Sequence, residues 1–286
     1  MDNSGFEFSA TYRNHDHPFK YDVSANLSTL KNKVTSLGFG TKSYITGAYA
    51  TYVGQEIGQF YGWVYEGLAR TQSDLDNHAT QQGANIGDCL YKDISGPNGE
   101  PDGVIDAYDQ TVLGSGLPKV NFGLSAHMEY KNFDLSISTY GVLNYHVSDD
   151  IYNSLNSCYG WGNKDVAMAD ANRFSEDGST YLSNVPRTYA ANKATLAWND
   201  LFSSRKIQNA AYWKIANVEL GYNFPDQWFR GLVSGVRVYV SAQNLYTFTG
   251  YKGYNVDYAG GTFTPGYNFC SFPSARSFMA GLHFTF

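Results

Sequence analysis

The stretch Arg276-Ser-Phe-Met-Ala-Gly-Leu-His-Phe-Thr-Phe286 decides how the rest of the sequence is interpreted. Its side chains alternate with a period of two, which is the period of a β-strand. The apolar face consists of Phe278, Ala280, Leu282, Phe284 and Phe286. This pattern is typical of the closing strand of a transmembrane β-barrel, for which Phe278, Leu282, Phe284 and Phe286 would be the C-terminal signal. It is also typical of the last strand of a soluble β-sandwich, so the choice depends on whether the pattern recurs.

The pattern recurs along most of the sequence. We expect about eight to ten strands of roughly the ten-residue length of a tilted membrane strand. They lie at residues 5–13, 19–29, 43–53, 60–68, 119–131, 133–147, 210–224, 235–248 and 276–286. Two long polar connections, 71–116 and 148–205, alternate with short turns. Short turns alternating with long extracellular loops are typical of outer-membrane barrels, whereas such long loops are uncommon in a compact soluble domain.

The composition fits strands with one lipid face and one watery face. Charged residues make up 16% of the 286 residues, and aromatic residues make up 16%, with 24 Tyr. The charged fraction of an ordinary soluble domain is about 25%. The mean hydropathy is −0.37, and no apolar run reaches the ~18 residues of a membrane helix. The same composition also suits a secreted carbohydrate-binding sandwich, because Tyr and Trp stack on sugars.

Several classes of function are disfavoured. The net charge of −6 argues against nucleic acid as a partner, which needs a basic patch. Cys89, Cys158 and Cys270 have neither metal-ligand nor disulfide spacing. Nucleophile-elbow, zinc-protease and phosphate-loop motifs are absent, so we predict no catalytic residue and no enzyme activity.

The long connection 71–116 contains an acidic loop that resembles a calcium-binding loop. Calcium requires six to eight hard oxygen ligands, which a 12-residue loop can wrap around one point. The predicted ligands are Asn98, Glu100, Asp102, the carbonyl of Val104, Asp106 and Asp109, with Asp93 as an alternative first ligand. Asn98 and Asp109 depart from the usual Asp and Glu at the two ends of such a loop. The alternative is a solvated acidic turn, which would bind no cofactor.

The first residues predict no signal peptide. Residues 1–12 have neither a basic segment nor a continuous apolar core, and they enter a strand almost at once. A barrel protein must be exported. We therefore expect residues 1–286 to be the C-terminal section of a barrel from a longer protein.

Several stretches resemble the SusC/RagA family of TonB-dependent outer-membrane transporters. The longest is Val236-Arg-Val-Tyr-Val-Ser-Ala-Gln-Asn-Leu-Tyr-Thr-Phe-Thr-Gly-Tyr-Lys-Gly-Tyr254. Others are Gly58-Gln-Phe-Tyr-Gly-Trp63, Asp102-Gly-Val-Ile-Asp106, Tyr130-Lys-Asn-Phe-Asp-Leu135 and Tyr212-Trp-Lys-Ile-Ala-Asn-Val218. They occur in the family's order across nearly the whole chain, and together they are specific.

The resemblance implies an all-β, antiparallel transmembrane barrel of about 22 strands with a plugged lumen. It implies import of oligosaccharides or peptides across the outer membrane of a Gram-negative, Bacteroidetes-like cell. The implied partners are a SusD-like surface lipoprotein, the TonB complex, outer-membrane lipid and the cargo. The signal peptide, plug and first part of the barrel have no counterpart here. The acidic loop is also longer than the family's by the insertion Pro97-Asn-Gly-Glu-Pro101.

Two other functions stay open on the sequence alone. One is a self-contained small outer-membrane barrel, whose interior would have to be filled with side chains. The other is a soluble, secreted, calcium-dependent glycan-binding β module, whose apolar faces would be buried against each other. Polar residues on the less apolar strand faces favour a wet lumen over a packed interior. These residues include Glu7, Asp22, Asn26, Glu129 and Arg237.

Overall fold

The computed structural model describes residues 1–157, 163–166, 174–175, 183–187, 198–229, 233, 235–257 and 260–286. Cys158 and much of the predicted connection 148–205 lie outside these ranges. The described residues are predominantly β-structure, as predicted, and the predicted all-β, antiparallel class is confirmed. No helix among them is both long and apolar enough to cross a membrane.

The regular elements follow in chain order. The strands of the first half are β1 (Asp2–Ser4), β2 (Glu7–Asn14), β3 (Phe19–Thr29), β4 (Lys31–Lys33), β5 (Ser43–Thr46), β6 (Tyr49–Tyr52), β7 (Gln59–Gly62), β8 (Tyr65–Leu68), β9 (Cys89–Tyr91), β10 (Thr111–Gly114), β11 (Val120–Tyr130) and β12 (Phe133–Leu143). Those of the second half are β13 (His146–Asp149), β14 (Gln208–Asn209), β15 (Tyr212–Phe224), β16 (Gly235–Thr249), β17 (Gly260–Gly261), β18 (Thr264–Pro265), β19 (Tyr267–Asn268) and β20 (Ser277–Thr285). The helices are α1 (Gln72–Asp76) and α2 (Asp150–Leu155).

The main feature is a seven-stranded antiparallel sheet in the order β2-β3-β11-β12-β15-β16-β20. Turns at residues 15–18 and 131–132 and the connection 225–234 join its strands at one end. The long connections that follow β3, β12 and β16 all lie at the opposite end. This asymmetry is that of an outer-membrane barrel, in which the long loops are extracellular. We call the structure formed by these connections the loop layer.

The sheet has an apolar face that the other described residues of the chain leave exposed. One row of directly opposed residues crosses all seven strands, and it consists of Tyr12, Val23, Ala126, Ile137, Val218, Ala242 and Phe278. Apolar side chains on this face remain exposed, with Phe278 at 71% and Val240 at 55%. In water an exposed apolar surface of this extent would be unfavourable, whereas hydrocarbon tolerates it.

The opposite face is polar. The adjacent row across the same strands consists of Thr11, Ser24, Ser125, Ser138, Asn217, Gln243 and Ser277. Because successive side chains of a strand point to opposite faces, the alternation in the sequence fixes both surfaces at once. A bulge next to Ala216 in β15 shifts the register, and the two faces continue unbroken beyond it.

The expected strand count needs a correction. Residues 43–53 and 60–68 do not join the seven-stranded sheet, because β5, β6 and β7 pair instead with β10 in a separate four-stranded sheet of the loop layer. β8 pairs with β9. The predicted strand 133–147 is also divided, because Asn144 adopts a φ of 52° and ends β12 before β13 begins. Left-handed backbone at a non-glycine residue interrupts regular pairing.

The loop layer contains its own hydrophobic cores. One core packs where β12, β15 and the connection after β16 meet, and it contains Val142, Tyr145, Val147, Ala210, Tyr212, Tyr251 and Val256. The other lies around β8 and β9, and it contains Leu68, Cys89, Tyr91, Ile105, Phe174 and Trp198. The long connections therefore form a packed layer above the sheet.

Candidate functional site

The polar face of the sheet carries the groups that could contact a solute. At its short-turn end, Arg237 of β16 donates from Nε to Asp134 Oδ1 at 3.0 Å and from Nη2 to Glu219 Oε1 at 2.7 Å. Asn223 donates to the same Asp134 oxygen at 2.9 Å. The network joins β12, β15 and β16, so the polar face is held by paired charges.

Beside this network on the same face, β11 carries His127 and Glu129, whose Nε2 and Oε1 atoms lie 3.1 Å apart. His127 Nδ1 also lies 2.9 Å from the hydroxyl of Ser136 on β12. These groups and the Arg237 network contain both signs of charge. The polar face thus carries paired charges at the positions where the sequence analysis expects a wet lumen.

At the end near the loop layer, Asp257 attaches the connection after β16 to the polar face of the sheet. Lys214 of β15 donates to Asp257, and the hydroxyl of Tyr140 lies 3.4 Å from the other Asp257 oxygen. Lys214 is buried. The ion pair therefore holds part of this connection against the polar face of the sheet.

A second set of contacts joins the connection after β12 to the connection after β16 inside the loop layer. The carboxylate of Asp149 accepts from the backbone N–H of Tyr152 at 2.7 Å, from the hydroxyl of Tyr251, and from the Asn268 amide at 3.1 Å. All three partners of this network, Asp149, Tyr251 and Asn268, are buried. Burial raises the pKa of Tyr251 above its ordinary range, and the Asp149 charge raises it further. The hydroxyl therefore stays protonated and remains a donor.

A third set of contacts joins residues that lie 99 to 111 positions apart in the sequence. Arg187 donates from Nε and Nη2 to the two oxygens of Asp88 at 2.7 and 2.8 Å, which is a bidentate pair. Asn199 donates to Asp88 at 2.8 Å and accepts from the backbone N–H of Cys89 at 2.7 Å. Sequence reasoning missed these three sets of contacts. Their long-range ion pairs and hydrogen bonds join residues that lie from 43 to 119 positions apart, and no local pattern connects such residues.

The structure places the acidic-loop residues in one loop but does not gather them around a point. Asp109, which is fully buried, accepts from the N–H groups of Ile94, Ser95 and Asp106 at 2.7 to 3.2 Å. The other carboxylates do the same within the loop: Asp93 accepts from Gly103, Asp102 from Val104, and Asp106 from Tyr108. Asn98 and Glu100 are exposed at the tip of the loop.

In this arrangement the predicted ligands do not fit a calcium ion. Among the described residues, no group of three or more His, Cys, Asp or Glu side chains is arranged to hold a metal. The carboxylates satisfy backbone donors of the loop itself, which is the chemistry of a self-capped turn. Calcium binding would require these hydrogen bonds to rearrange, and it stays a prediction.

The residues predicted as the C-terminal signal all lie at one edge of the sheet. Phe278, Leu282 and Phe284 are on the apolar face of β20, where they are exposed, and Phe286 follows this strand. β20 pairs with β16, and β2 at the other edge pairs with β3. Within the described part of the chain, neither edge strand has a second neighbour in the sheet.

Comparison with known proteins relates this architecture to one class of membrane protein. No family model matches the chain. Among curated proteins, it is 29% identical to TonB-dependent receptor P3 of Formosa agariphila and 26% identical to TonB-dependent receptor SusC of Bacteroides thetaiotaomicron. Both matches cover 100% of this chain, which spans 29% and 26% of the two relatives.

Solved structures show the same fold. A structure of the RagAB peptide transporter superposes on 99% of this chain and 29% of its own, with a TM-score of 0.77 and 21% identity. The structure of the RagAB peptide importer in the open-open state superposes with a TM-score of 0.73. The resemblance to the SusC/RagA family of TonB-dependent transporters that the sequence predicts is thus confirmed, over the whole length of this chain and less than a third of each relative.

Proposed function

We propose that this chain is the C-terminal section of the barrel wall of a SusC-like, TonB-dependent importer in the outer membrane. The observation that carries the proposal is the seven-stranded sheet with one uncovered apolar face and one polar, charge-paired face. An apolar face toward lipid and a polar face toward a lumen are the two surfaces that a barrel wall requires.

The open edges support a position within a larger barrel. Each unpaired backbone group in hydrocarbon costs several kcal/mol. The edge strands β2 and β20 have 8 and 9 residues, so exposing both edges to lipid would be strongly unfavourable. Strands from the rest of a longer protein would pair with both edges and close the barrel.

The same observations weigh against the two alternatives. A self-contained small barrel would pair β2 with β20, and the sheet of the described residues leaves them at opposite edges. A soluble glycan-binding module would bury its apolar face, and here that face is exposed. The larger importer accounts for both features.

Partners and cargo follow from the relatives. A TonB-dependent receptor draws its energy from the TonB complex, which would act through the rest of the protein. A SusD-like surface lipoprotein would dock over the loop layer, and the cargo would be an oligosaccharide or a peptide. The name of one solved neighbour, the RagAB peptide transporter, supports a peptide, and an oligosaccharide is what the resemblance to the SusC/RagA family implies.

The test compares this chain alone with the full-length receptor that contains it, both expressed in an outer membrane. Closed barrels migrate differently on gels before and after boiling. We expect this heat-dependent shift, together with outer-membrane fractionation, only for the full-length receptor. A shifted band from the chain alone would favour the small barrel, and a soluble monomer would favour the glycan-binding module.

A second experiment separates the cargo classes. Cells that lack the receptor would be complemented with it and supplied with labelled oligosaccharides or labelled peptides. We expect uptake of one class, and we expect that uptake to disappear when the TonB complex is inactivated. Uptake that survives TonB inactivation would contradict energised import.

A further inference from the structure

A pocket of about 350 Å³ opens in the loop layer at the ends of β15 and β16. Its lining includes two cationic side chains, Arg205 and Lys252, the amides of Gln208 and Asn209, and the ring of Tyr152. None of the described residues that line the pocket is acidic. It is separate from the polar face of the sheet and from the acidic loop described above.

The strand alternation places this pocket on the lipid-facing side of the wall. Trp213 and Phe248 are opposed residues of β15 and β16 on the apolar face. Their rings are stacked, with centroids 5.3 Å apart. The pocket residues Asn209, Ala211, Gly250 and Lys252 lie just beyond the ends of these two strands, at the sequence parity of Trp213 and Phe248. The intervening residues, Ala210, Tyr212 and Tyr251, are buried in the core of the loop layer.

The pocket therefore lies just above a group of exposed aromatic side chains. Trp213, Tyr246 and Phe248 are each exposed, and the ring centroids of Tyr246 and Phe248 lie 4.7 Å apart. Aromatic side chains at the rim of an apolar band mark the interface between hydrocarbon and head groups. Since the loop layer is on the extracellular side, a group in this pocket would be at the head-group level of the outer leaflet.

The cations of the pocket lack anionic partners. Among the described residues, Arg205 and Lys252 side chains donate no hydrogen bond and form no ion pair. Burial raises the pKa of Tyr91 well above its ordinary range, and the charge of the nearby Arg205 opposes that rise without a hydrogen bond between the two side chains. Arg187, Lys214 and Arg237, in contrast, are each paired with a carboxylate.

A neutral group of the pocket also has an unused donor. The Nε2 atom of Gln208 is buried and has no acceptor, while its Oε1 accepts from the backbone N–H of Lys252 at 3.0 Å. A buried donor without an acceptor loses the hydrogen bonds that it would make to water, which is unfavourable. Two cations without anionic partners and an unpaired donor on one concave surface are complementary to an anion with several acceptor oxygens.

We propose that this pocket binds the phosphate head group of an anionic lipid of the outer leaflet. Arg205 and Lys252 supply the positive charge, and the acyl chains continue past Trp213 and Phe248 along the apolar face. The chain has a net charge of −6, so the cationic pocket is a local feature and not a consequence of overall composition. The inference rests on the proposed function, because it requires the apolar face to be in a membrane.

The test uses the full-length receptor in nanodiscs of phosphatidylcholine that contain either lipid A or dephosphorylated lipid A. Native mass spectrometry counts the lipid molecules that stay bound. We expect the wild type to retain lipid A, and the double variant Arg205→Gln/Lys252→Gln to retain it on the order of tenfold more weakly. The control Lys31→Gln/Lys33→Gln removes the same charge from exposed residues of β4 and should behave as the wild type.

Each other outcome would overturn the proposal. Equal retention in wild type and double variant would show that the pocket binds no lipid phosphate. An equal loss with dephosphorylated lipid A would assign binding to the acyl chains. Competition by inorganic phosphate or by an acidic oligosaccharide, without any effect of lipid A, would assign the pocket to a soluble anion. In all of these cases the receptor would still be inserted, whereas a receptor that does not insert would contradict the proposed function itself.

Discussion

At the scale of single residues, the hydrogen-bonded network of Asp149, Tyr251 and Asn268 depends on close packing around it. Gly253 lies beside the Tyr251 hydroxyl and the Asp149 carboxylate, and a Cβ atom there would be closer than 3.0 Å to both. These are buried groups whose positions are set by several hydrogen bonds. Any added atom must displace them.

We therefore expect Gly253→Ala to destabilise the loop layer by about 1 to 3 kcal/mol, as overpacking commonly does. Hydrogen exchange of the segment 249–257 in the full-length receptor would measure the loss as faster exchange. Gly250→Ala is the matched control, because a Cβ at Gly250 has nothing within 4 Å. Equal exchange in the two variants would contradict the role assigned to this network.

His146 predicts a dependence on pH. Burial lowers the pKa of this side chain from its ordinary value of 6.5, and the nearby Lys119 charge lowers it further, against an opposing hydrogen bond to the Ser115 backbone. Below pH 6.5 the unfolded chain binds a proton that the native chain does not. The stability of this region is thus fully present above pH 6.5 and falls as the pH drops toward the lower folded pKa.

The measurement is hydrogen exchange of residues 144–149 between pH 7 and 5, corrected for intrinsic rates. We expect protection to decrease toward pH 5 in the wild type and to vary less in His146→Gln. His17→Gln, in the exposed turn between β2 and β3, should keep the wild-type response. A variant of His146 with unchanged pH response would refute the assignment.

At the scale of elements, each long strand presents two different surfaces. Val240 of β16 is on the apolar face, where it is directly opposite Leu220 and Ala280. Gln243, three residues later, belongs to the polar row. A charge should therefore have opposite consequences at the two positions, although both are in one strand.

We expect Val240→Arg to destabilise the inserted receptor by about 2 to 4 kcal/mol, the cost of Arg on the lipid face near the bilayer middle. Gln243→Arg should change the free energy of unfolding little, because the arginine side chain would extend into water. Urea titration of the receptor in lipid vesicles would give both values. A similar cost for the two variants would mean that the assignment of the faces is wrong.

The acidic loop provides a test at the same scale. If calcium binds, the carboxylates of Asp102, Asp106 and Asp109 must exchange backbone N–H donors for the ion, and the loop must reorganise. Terbium luminescence and calcium titration of the full-length receptor would detect binding, which Asp109→Asn should weaken at least tenfold. Binding that is unchanged in Asp109→Asn, or no binding at millimolar calcium, would leave the self-capped turn as the correct interpretation.

The sequence predicted the elements unevenly. It placed all seven strands of the main sheet within a few residues, because each alternates regularly over most of its length. It also assigned residues 43–53 and 60–68 to the barrel, and there it was wrong. Those segments alternate less regularly, and their short strands pair within the loop layer. Alternation identifies a strand, but it does not identify the strand's neighbour.

At the scale of the whole molecule, the sheet has the shape of a wall with two open edges. The chain spans less than a third of its curated relatives, and the remaining strands of such a barrel would complete both edges. The charges of the polar face are paired across strands. Ion pairs and hydrogen bonds hold the loop layer together and attach it to this face. The wall and the layer together would shape the path of a cargo.

The sequence by itself determined the fold class, the two faces of the wall and the resemblance to SusC-like transporters. It could do so because a two-residue period fixes which side chains share a face, whatever the neighbouring strand is. Only the tertiary structure decided the ion pairs and hydrogen bonds that hold the loop layer, the self-capped state of the acidic loop and the position of the cationic pocket. These depend on pairs such as Asp88 with Arg187 and Lys214 with Asp257, and such pairs are set by how distant segments meet in space.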